Sequence, residues 1–254
     1  RSGGIIEPYR FVFSLVESAV KNGVTLRTNF EVDHAEGRGR YYHVYSGEDS
    51  IRARYVINAA GLFADRVSSL FGAEEFVIVP RKGEEYLMDR EAAALPGKVV
   101  FPVPSRVSKG MLVIPTVEGT TMVGPTADAA ESKLDVSTSE KNFERVFYSA
   151  RRLIPLVSER DIITSFAGLR PTLAGDDFYI AVSDAQPHFV QVAGIQSPGL
   201  TASPAIAEYV KDLLKMDELV LEEDPNFDPE IEHISRLREL DLEDADRLVA
   251  EDPD

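Results

Sequence analysis

The chain has 254 residues, 44% hydrophobic and 28% charged, which is enough for one large or two modest domains with a real core. It has no cysteine, which excludes disulfides, thiolate metal sites, iron–sulfur ligation and a cysteine nucleophile within these residues and suits a reducing compartment such as the cytoplasm. The formal charge is −16, of which residues 212–254 carry 17 acids against 4 bases, so nucleic-acid binding is not expected and the tail is expected to be a solvated helical extension.

In chain order, EPYRFVFSLVESAVKNG predicts a helix. Pro8 suits its first turn, the pairs Phe11/Val12, Leu15/Val16 and Ala19/Val20 make one apolar stripe, and Gly23 is a natural stop. VTLRTNFEV alternates with period two and predicts a strand. EGRGRYYHVYSGEDSIRARYVINAAG predicts a hairpin returning into an apolar strand over Tyr55 to Ala60, and ADRVSSLFG a short helix behind it. Phe76 begins a run of short β-rich segments separated by Gly and Pro, with VEGTT as a hairpin turn. STSEKNFERVFYSARRLIP interrupts them with a helix, for which Ser137 and Glu140 fit a capping box. FYIAVSD and HFVQVAGI are strands, and the second runs through QSPGL into a helix. DPEIEHISRLREL and DLEDADRLV predict helical segments in the tail. No stretch approaches the roughly 18 apolar residues of a membrane span, and no signal peptide is visible.

Three constellations could carry chemistry. Asn58, Ala59, Ala60 and Gly61 end an apolar strand with residues small enough for close backbone approach to a ligand, or simply for tight strand–helix packing. Arg170, between a Gly–Leu step and a stiffening Pro, offers a planar fork to an anion or makes a surface ion pair. The loop IQSPGLT opens a helix, whose first turn presents unpaired N–H groups and the positive dipole end, or is a plain turn. The four histidines have no metal-ligand spacing, and His188, in a turn before a strand, is expected to be structural.

GGIIEPYRFVFSLVESAVKNGV, VINAAGLFADRVSSLFG, VPRKGEEYLMD, FPVPSRVSKGMLVIPTVEGTTMVGPTAD, AGLRPTLAGDDFYIAVSD and VQVAGIQSPGLTASPAIAEYV occur in this order. Together they resemble FAD-dependent oxidoreductases of the D-amino-acid oxidase superfamily, in the branch of glycerol-3-phosphate and L-2-hydroxyglutarate dehydrogenases. The resemblance implies an α/β (α+β) fold: an incomplete FAD-binding Rossmann-like layer plus a mixed or antiparallel substrate sheet. Its implied boundaries are 1–75 and 171–215 for the FAD-binding part, 76–170 for the substrate sheet with a helix at 139–154, and 216–254 for the tail. Family members open with a strand, a G-x-G-x-x-G turn and a helix that hold the ADP half of FAD. Those features do not occur in this sequence, so the chain is expected to be a portion of a longer enzyme and inactive alone.

The resemblance further implies that Val32, Ala59, Ala60 and Gly61 face the nucleotide portion of FAD. Gly199, Leu200 and Thr201 would present amides to the flavin pyrimidine edge, and Arg170 would hold the anionic end of a small alcohol. Tyr86 and Lys109 are candidates for the catalytic base. Glycerol-3-phosphate enzymes often carry a lysine in the loop where Ser197 and Pro198 stand, which weakens the case for a phosphate substrate and leaves glycerol 3-phosphate and a 2-hydroxy acid both open. The implied electron acceptor is oxygen, a quinone or an iron–sulfur protein, and a partner of that kind is the implied route to any membrane association. The rival readings are an FAD-dependent amine or amino-acid oxidase and a non-catalytic interaction subunit.

Overall fold

The computed structural model describes residues 4–91, 97–103, 110–231 and 240–251. Two compact units are distinguished: Arg1–Pro8 with Thr28–Glu222, and Tyr9–Arg27 with Glu223–Asp254. In the smaller unit, helix α1 (Pro8–Lys21) buries none of its residues. Gly23, at φ +89°, stops it. The tail is tied to its end reciprocally. Asn22 Nδ2 donates to Asp228 O at 2.8 Å, Asp228 N donates to Asn22 Oδ1 at 2.8 Å, and Lys21 Nζ meets Asp228 Oδ2 at 2.6 Å. Helix α5 (Leu242–Glu251) is the second of the two expected tail helices, and most of the first lies outside the described residues.

Residues 24–33 are not a strand. Their alternation is real, but an extended segment becomes a strand only within a ladder of hydrogen bonds, and here Asp33 N donates to Tyr45 O at 3.1 Å without such a ladder forming over the segment. Asn29, at φ 55°, also breaks the run, and Val24 and Leu26 are exposed.

The larger unit contains three sheets. The expected hairpin is a three-strand meander, β1 (His34–Arg38), β2 (Tyr41–Ser46) and β3 (Asp49–Ala53). Its buried Tyr42 packs on Phe71 and Phe189 and donates to Pro187 O at 2.6 Å. The chain continues through β4 (Val56–Asn58), a 3-10 turn (Gly61–Phe63) and α2 (Ala64–Leu70). It then enters a five-strand antiparallel sheet: β5 (Val79–Met88), β6 (Leu112–Pro115), β7 (Thr121–Gly124), β8 (Asp128–Ala129) and β9 (Ile162–Thr172), with the order β6-β7-β5-β8 and β9 paired along the whole of β5. Helix α3 (Glu140–Leu153) covers one face of it through Val146, Phe147 and Ala150, against Tyr86, Met88, Val113 and Val123. The α3 cap is Ser139, which accepts from Asn142 N at 3.3 Å; Ser137 is occupied instead by Asp135 Oδ1 at 2.6 Å.

The last sheet carries β10 (Tyr179–Val182), β11 (Phe189–Ala193) and β4, with β11 antiparallel to β10 and parallel to β4. All five residues of β11 are buried. Val190 and Val192 face helix α4 (Gly199–Met216), while Gln191 and Ala193 face α2. A strand buried on both faces and covered by helices is the signature of an α/β layer. The mixed α/β fold is therefore as expected, with an α/β layer and a separate antiparallel sheet.

Candidate functional site

Because β4 and β11 run parallel in register, Asn58 beside Gln191, their carboxyl ends leave the sheet at the same edge. Open α/β sheets bind ligands at that edge. Beyond β4, buried Asn58 closes the turn: its Nδ2 donates to Ala64 O at 2.8 Å and Gln191 Oε1 at 2.9 Å, and its Oδ1 accepts from Ala60 N at 3.3 Å. This leaves Ala59 and Ala60 exposed. Gly61, at φ +55°, has open space on the side where a Cβ would lie.

Beyond β11, the chain turns at Gly194 and folds back through Ile195–Pro198 into α4. Gly199 N donates to Gln196 O at 2.5 Å and Ala202 N to Pro198 O at 3.0 Å. The Leu200 and Thr201 amides have no acceptor among the described residues. No side chain caps this helix start, and its first turn holds no acid. Most helices satisfy these donors with a Ser, Thr, Asp or Asn cap. Here two N–H groups and the dipole end stay open to whatever fills the space before them.

That space is a cavity of about 550 Å³ lined by Leu169, Arg170 and Pro171 of β9 and by the loop and helix start Ile195–Thr201. Arg170 enters it from the side of β5 and β9 that faces away from α3. A strand alternates faces, and residues paired across antiparallel strands share one. Arg170 pairs with Arg81, Gly168 with Gly83 and Phe166 with Glu85, so these six occupy one face. Lys82, Glu84 and Tyr86 occupy the other. A Cβ at Gly83 would stand 2.5 Å from Arg170 Nη2 and 2.6 Å from Nη1, so the guanidinium lies flat on bare backbone. Arg170 Nη1 also donates to Thr126 O at 3.3 Å, while Thr126 holds the Glu84 backbone through Thr126 N to Glu84 O at 3.2 Å and Glu84 N to Thr126 Oγ1 at 3.0 Å. Partial burial lowers the Arg170 pKa; Glu85 works against that shift and Arg81 adds to it. Arginine stays charged through such shifts.

The expected site residues therefore divide. Arg170, Gly199, Leu200 and Thr201 line one cavity, although the Gly199 amide is already bonded within its loop. Ala59, Ala60 and Gly61 lie at the neighbouring strand end, and β9 packs against the 3-10 turn that begins at Gly61. Val32 is half-buried against Tyr42, Phe71 and Phe189. Tyr86 is in the α3-covered core, 3% exposed, between Phe143 and Phe147. Burial and neighbouring Glu84 push its phenol up to about 12, away from the range of a useful base. Lys109 lies outside the described residues. His188 is tied to Asp217 Oδ2 at 3.0 Å and tilted on the Tyr55 ring. Two residues escaped sequence reasoning: Gly83, the seat of Arg170, and Glu85. Their signal was the alternation Arg81-x-Gly83-x-Glu85, legible once β5 is taken as one strand.

A larger hollow, about 1080 Å³, is rimmed by Glu74, Glu75, Asp176 and Asp177, with Arg81 already paired to Asp176 at 2.8 Å. Its acidic rim suits an anion poorly, so the smaller cavity is the stronger candidate.

Residues 1–213 match the DAO family, described as FAD dependent oxidoreductase. The chain belongs to this family. It is 36% identical over 252 residues to a glycerol 3-phosphate dehydrogenase from Caloramator mitchellensis, covering 99% of this chain and 52% of that protein. It is 30% identical to a glycerol 3-phosphate oxidase from Mycoplasma pneumoniae, covering 87% of this chain and 59% of that protein. Among solved structures, dithionite-reduced L-alpha-glycerophosphate oxidase from Mycoplasma pneumoniae with FAD bound superposes with a TM-score of 0.78 at 30% identity, over 85% of this chain and 57% of that chain. The chain thus spans little more than half the length of the relatives it matches. Among the described residues of this DAO-family chain, no helix is long and apolar enough to cross a membrane.

The family cofactor is FAD, and the cavity fits its flavin end on two counts. The two open amides suit an electron-rich heterocycle edge, and Gly199, where a Cβ would meet Ile195 Cγ2 at 2.6 Å, keeps the helix start free of a side chain.

Proposed function

We propose that this chain carries the flavin- and substrate-facing part of an oxidoreductase that oxidises a small anionic alcohol. The observation that supports the reading is the shared cavity: Arg170 and a helix start with two open amides line the same space. FAD, when bound, supplies the hydride acceptor. The Leu200 and Thr201 amides stabilise negative charge at the edge of the ring they meet, an effect of about 0.3–1 kcal/mol at a surface and up to about 2 when partly buried. Arg170 binds the anionic end of the substrate, and the Gly83 seat with the Thr126 carbonyl sets the direction of its remaining N–H groups. Glycerol 3-phosphate is the first substrate choice, because the relatives at 36% and 30% identity are named for it. A 2-hydroxy acid is the second, supported by 24% identity to an L-2-hydroxyglutarate dehydrogenase from Arabidopsis thaliana. Electrons then pass to oxygen, a quinone or an iron–sulfur protein.

The test is anaerobic flavin bleaching in the flavin-loaded protein with an ADP-binding segment restored upstream, using glycerol 3-phosphate, L-2-hydroxyglutarate and glycine. A hydroxy anion is expected to bleach fastest. Arg170→Met removes charge-assisted hydrogen bonds of about 1.5–3 kcal/mol and is expected to raise Kd roughly 10- to 150-fold. Fastest bleaching by the amine, or an unchanged Kd in the variant, overturns the reading.

A further inference from the structure

Glu85 lies on the Arg170 face of β5 and is electrostatically coupled to that arginine. It shares its strand face with Arg170 and stands two residues beyond Gly83, about 7 Å along β5 from the seat on which the guanidinium rests. Its stem passes over a second bare backbone position, since a Cβ at Gly124 would lie 3.1 Å from Glu85 Cγ. Two glycines thus floor one patch of the sheet, Gly83 beneath the arginine and Gly124 beneath the glutamate. None of the described residues donates a hydrogen bond to the Glu85 carboxyl. The groups facing it are Arg170 from β9, its apolar register partner Phe166, Arg81 further back on β5 and the side-chain-free Gly124 from β7. The Glu85 carboxyl is half-buried, and the Arg170 guanidinium is its electrostatic neighbour.

We propose that Glu85 is the base of the Arg170 site, taking the hydroxyl proton of the bound anionic alcohol. This rests on the reading above, that the substrate is an alcohol oxidised with FAD as acceptor. In the step, the substrate C–H bond breaks and its hydride leaves to FAD. The O–H bond breaks and its proton moves to a Glu85 carboxylate oxygen, and the C–O single bond becomes a carbonyl. The alcohol loses two electrons and FAD gains them. Burial raises the Glu85 pKa above the ordinary glutamate value and Arg170 pulls it partly back, which moves the carboxylate toward the working range of a general base.

The test compares wild type with Glu85→Gln in the flavin-loaded protein, following anaerobic flavin bleaching against pH and, separately, the affinity for inorganic phosphate. Wild-type bleaching is expected to accelerate as pH rises through the Glu85 titration. Glu85→Gln is expected to be about 10²- to 10⁴-fold slower, to lose that ascending limb, and to bind phosphate at least as tightly, since a negative charge beside Arg170 is gone. Glu85→Ala is expected to recover bleaching with added formate, which a packing role does not predict. Glu85→Asp keeps the carboxyl and is expected to retain the limb at a lower rate. An unchanged pH profile in Glu85→Gln, or equal losses of bleaching and phosphate affinity without formate rescue, overturns the assignment. If no hydroxy anion bleaches wild type, the functional reading itself fails; if wild type is bleached and the variant keeps its profile, the failure belongs to Glu85 alone.

Discussion

Glu84 and Glu85 are the same side chain one residue apart, yet they live in different chemistry. Glu84 is fully buried on the α3 side of β5. Ser139 N donates to its Oε2 at 2.9 Å, Ser139 Oγ to its Oε1 at 3.2 Å, and Asn142 Nδ2 to its Oε1 at 2.6 Å, so it joins the start of α3 to the sheet. Glu85 is on the opposite face beside Arg170, over bare backbone, and receives no hydrogen bond from the described residues. One carboxylate is consumed by the fold, and the other has only the Arg170 charge beside it. The same division separates Tyr86, held among Phe143 and Phe147, from Arg170, held so that part of its fork is free.

The largest effect that could break this contrast is Glu84→Ala. It removes the charged acceptor of the buried Asn142 amide and of the Ser139 donors at the exposed start of α3; hydrogen bonds to a charged group are worth about 1.5–3 kcal/mol each, so a loss of about 3 kcal/mol in urea unfolding is expected. Glu85→Ala is expected to stay within about 0.5 kcal/mol, in the range of substitutions that break no such feature. Equal losses for the two would dissolve the division. Next is Gly83→Val, which puts side-chain atoms where the Arg170 guanidinium rests. A roughly hundredfold weaker affinity for inorganic phosphate is expected, about 2.7 kcal/mol, with an intact circular dichroism spectrum. Unchanged affinity would show that the glycine seat does not position Arg170. Tyr86→Phe is smaller: its hydroxyl meets Glu84 at 3.5 Å, the limit of a hydrogen bond, so a stability change within about 1 kcal/mol and an unaltered pH profile of flavin bleaching are expected. A lost pH limb in this variant would return Tyr86 to the chemistry.

A third carboxylate sharpens the comparison without touching the site. Burial opposes ionisation of Glu74, but hydrogen bonds from Ser183 Oγ, Gln191 Nε2 and the Ala185 amide outweigh it and bring its pKa to about 2. A carboxyl depressed on folding stabilises the native state above its unfolded value, near 4.5, and loses that contribution as pH falls toward about 2. Glu74→Gln is therefore expected to flatten the stability profile between those pH values, by acid titration followed by circular dichroism. An unchanged acid limb would remove Glu74 from the network.

Much of this molecule was legible in order and kind. Helices α2 and α3, the antiparallel segments and the strand–loop–helix around Gly199 follow from periodicity, glycines and prolines. The cap of α3 moved by two residues because Ser137 and Ser139 are equally good caps, and Glu84, from a distant strand, secures Ser139. The strand expected at 24–32 failed because alternation cannot supply a partner. Tyr86 was a candidate base in the sequence, where nothing shows that α3 covers its face of β5 and buries it between Phe143 and Phe147.

By itself, the sequence determined the local alphabet: which segments alternate, where glycine leaves the backbone bare, and that Arg170 stands between a Gly–Leu step and a proline. It also carried the family, since order-preserved motifs survive without coordinates. Tertiary structure alone decided which of two neighbouring glutamates meets a helix and which lies beside Arg170. The pleat places adjacent residues on opposite faces, but packing determines which face is covered. It also brought Arg170 to the start of α4, because that meeting depends on strand register and on two segments distant in sequence bordering one hollow.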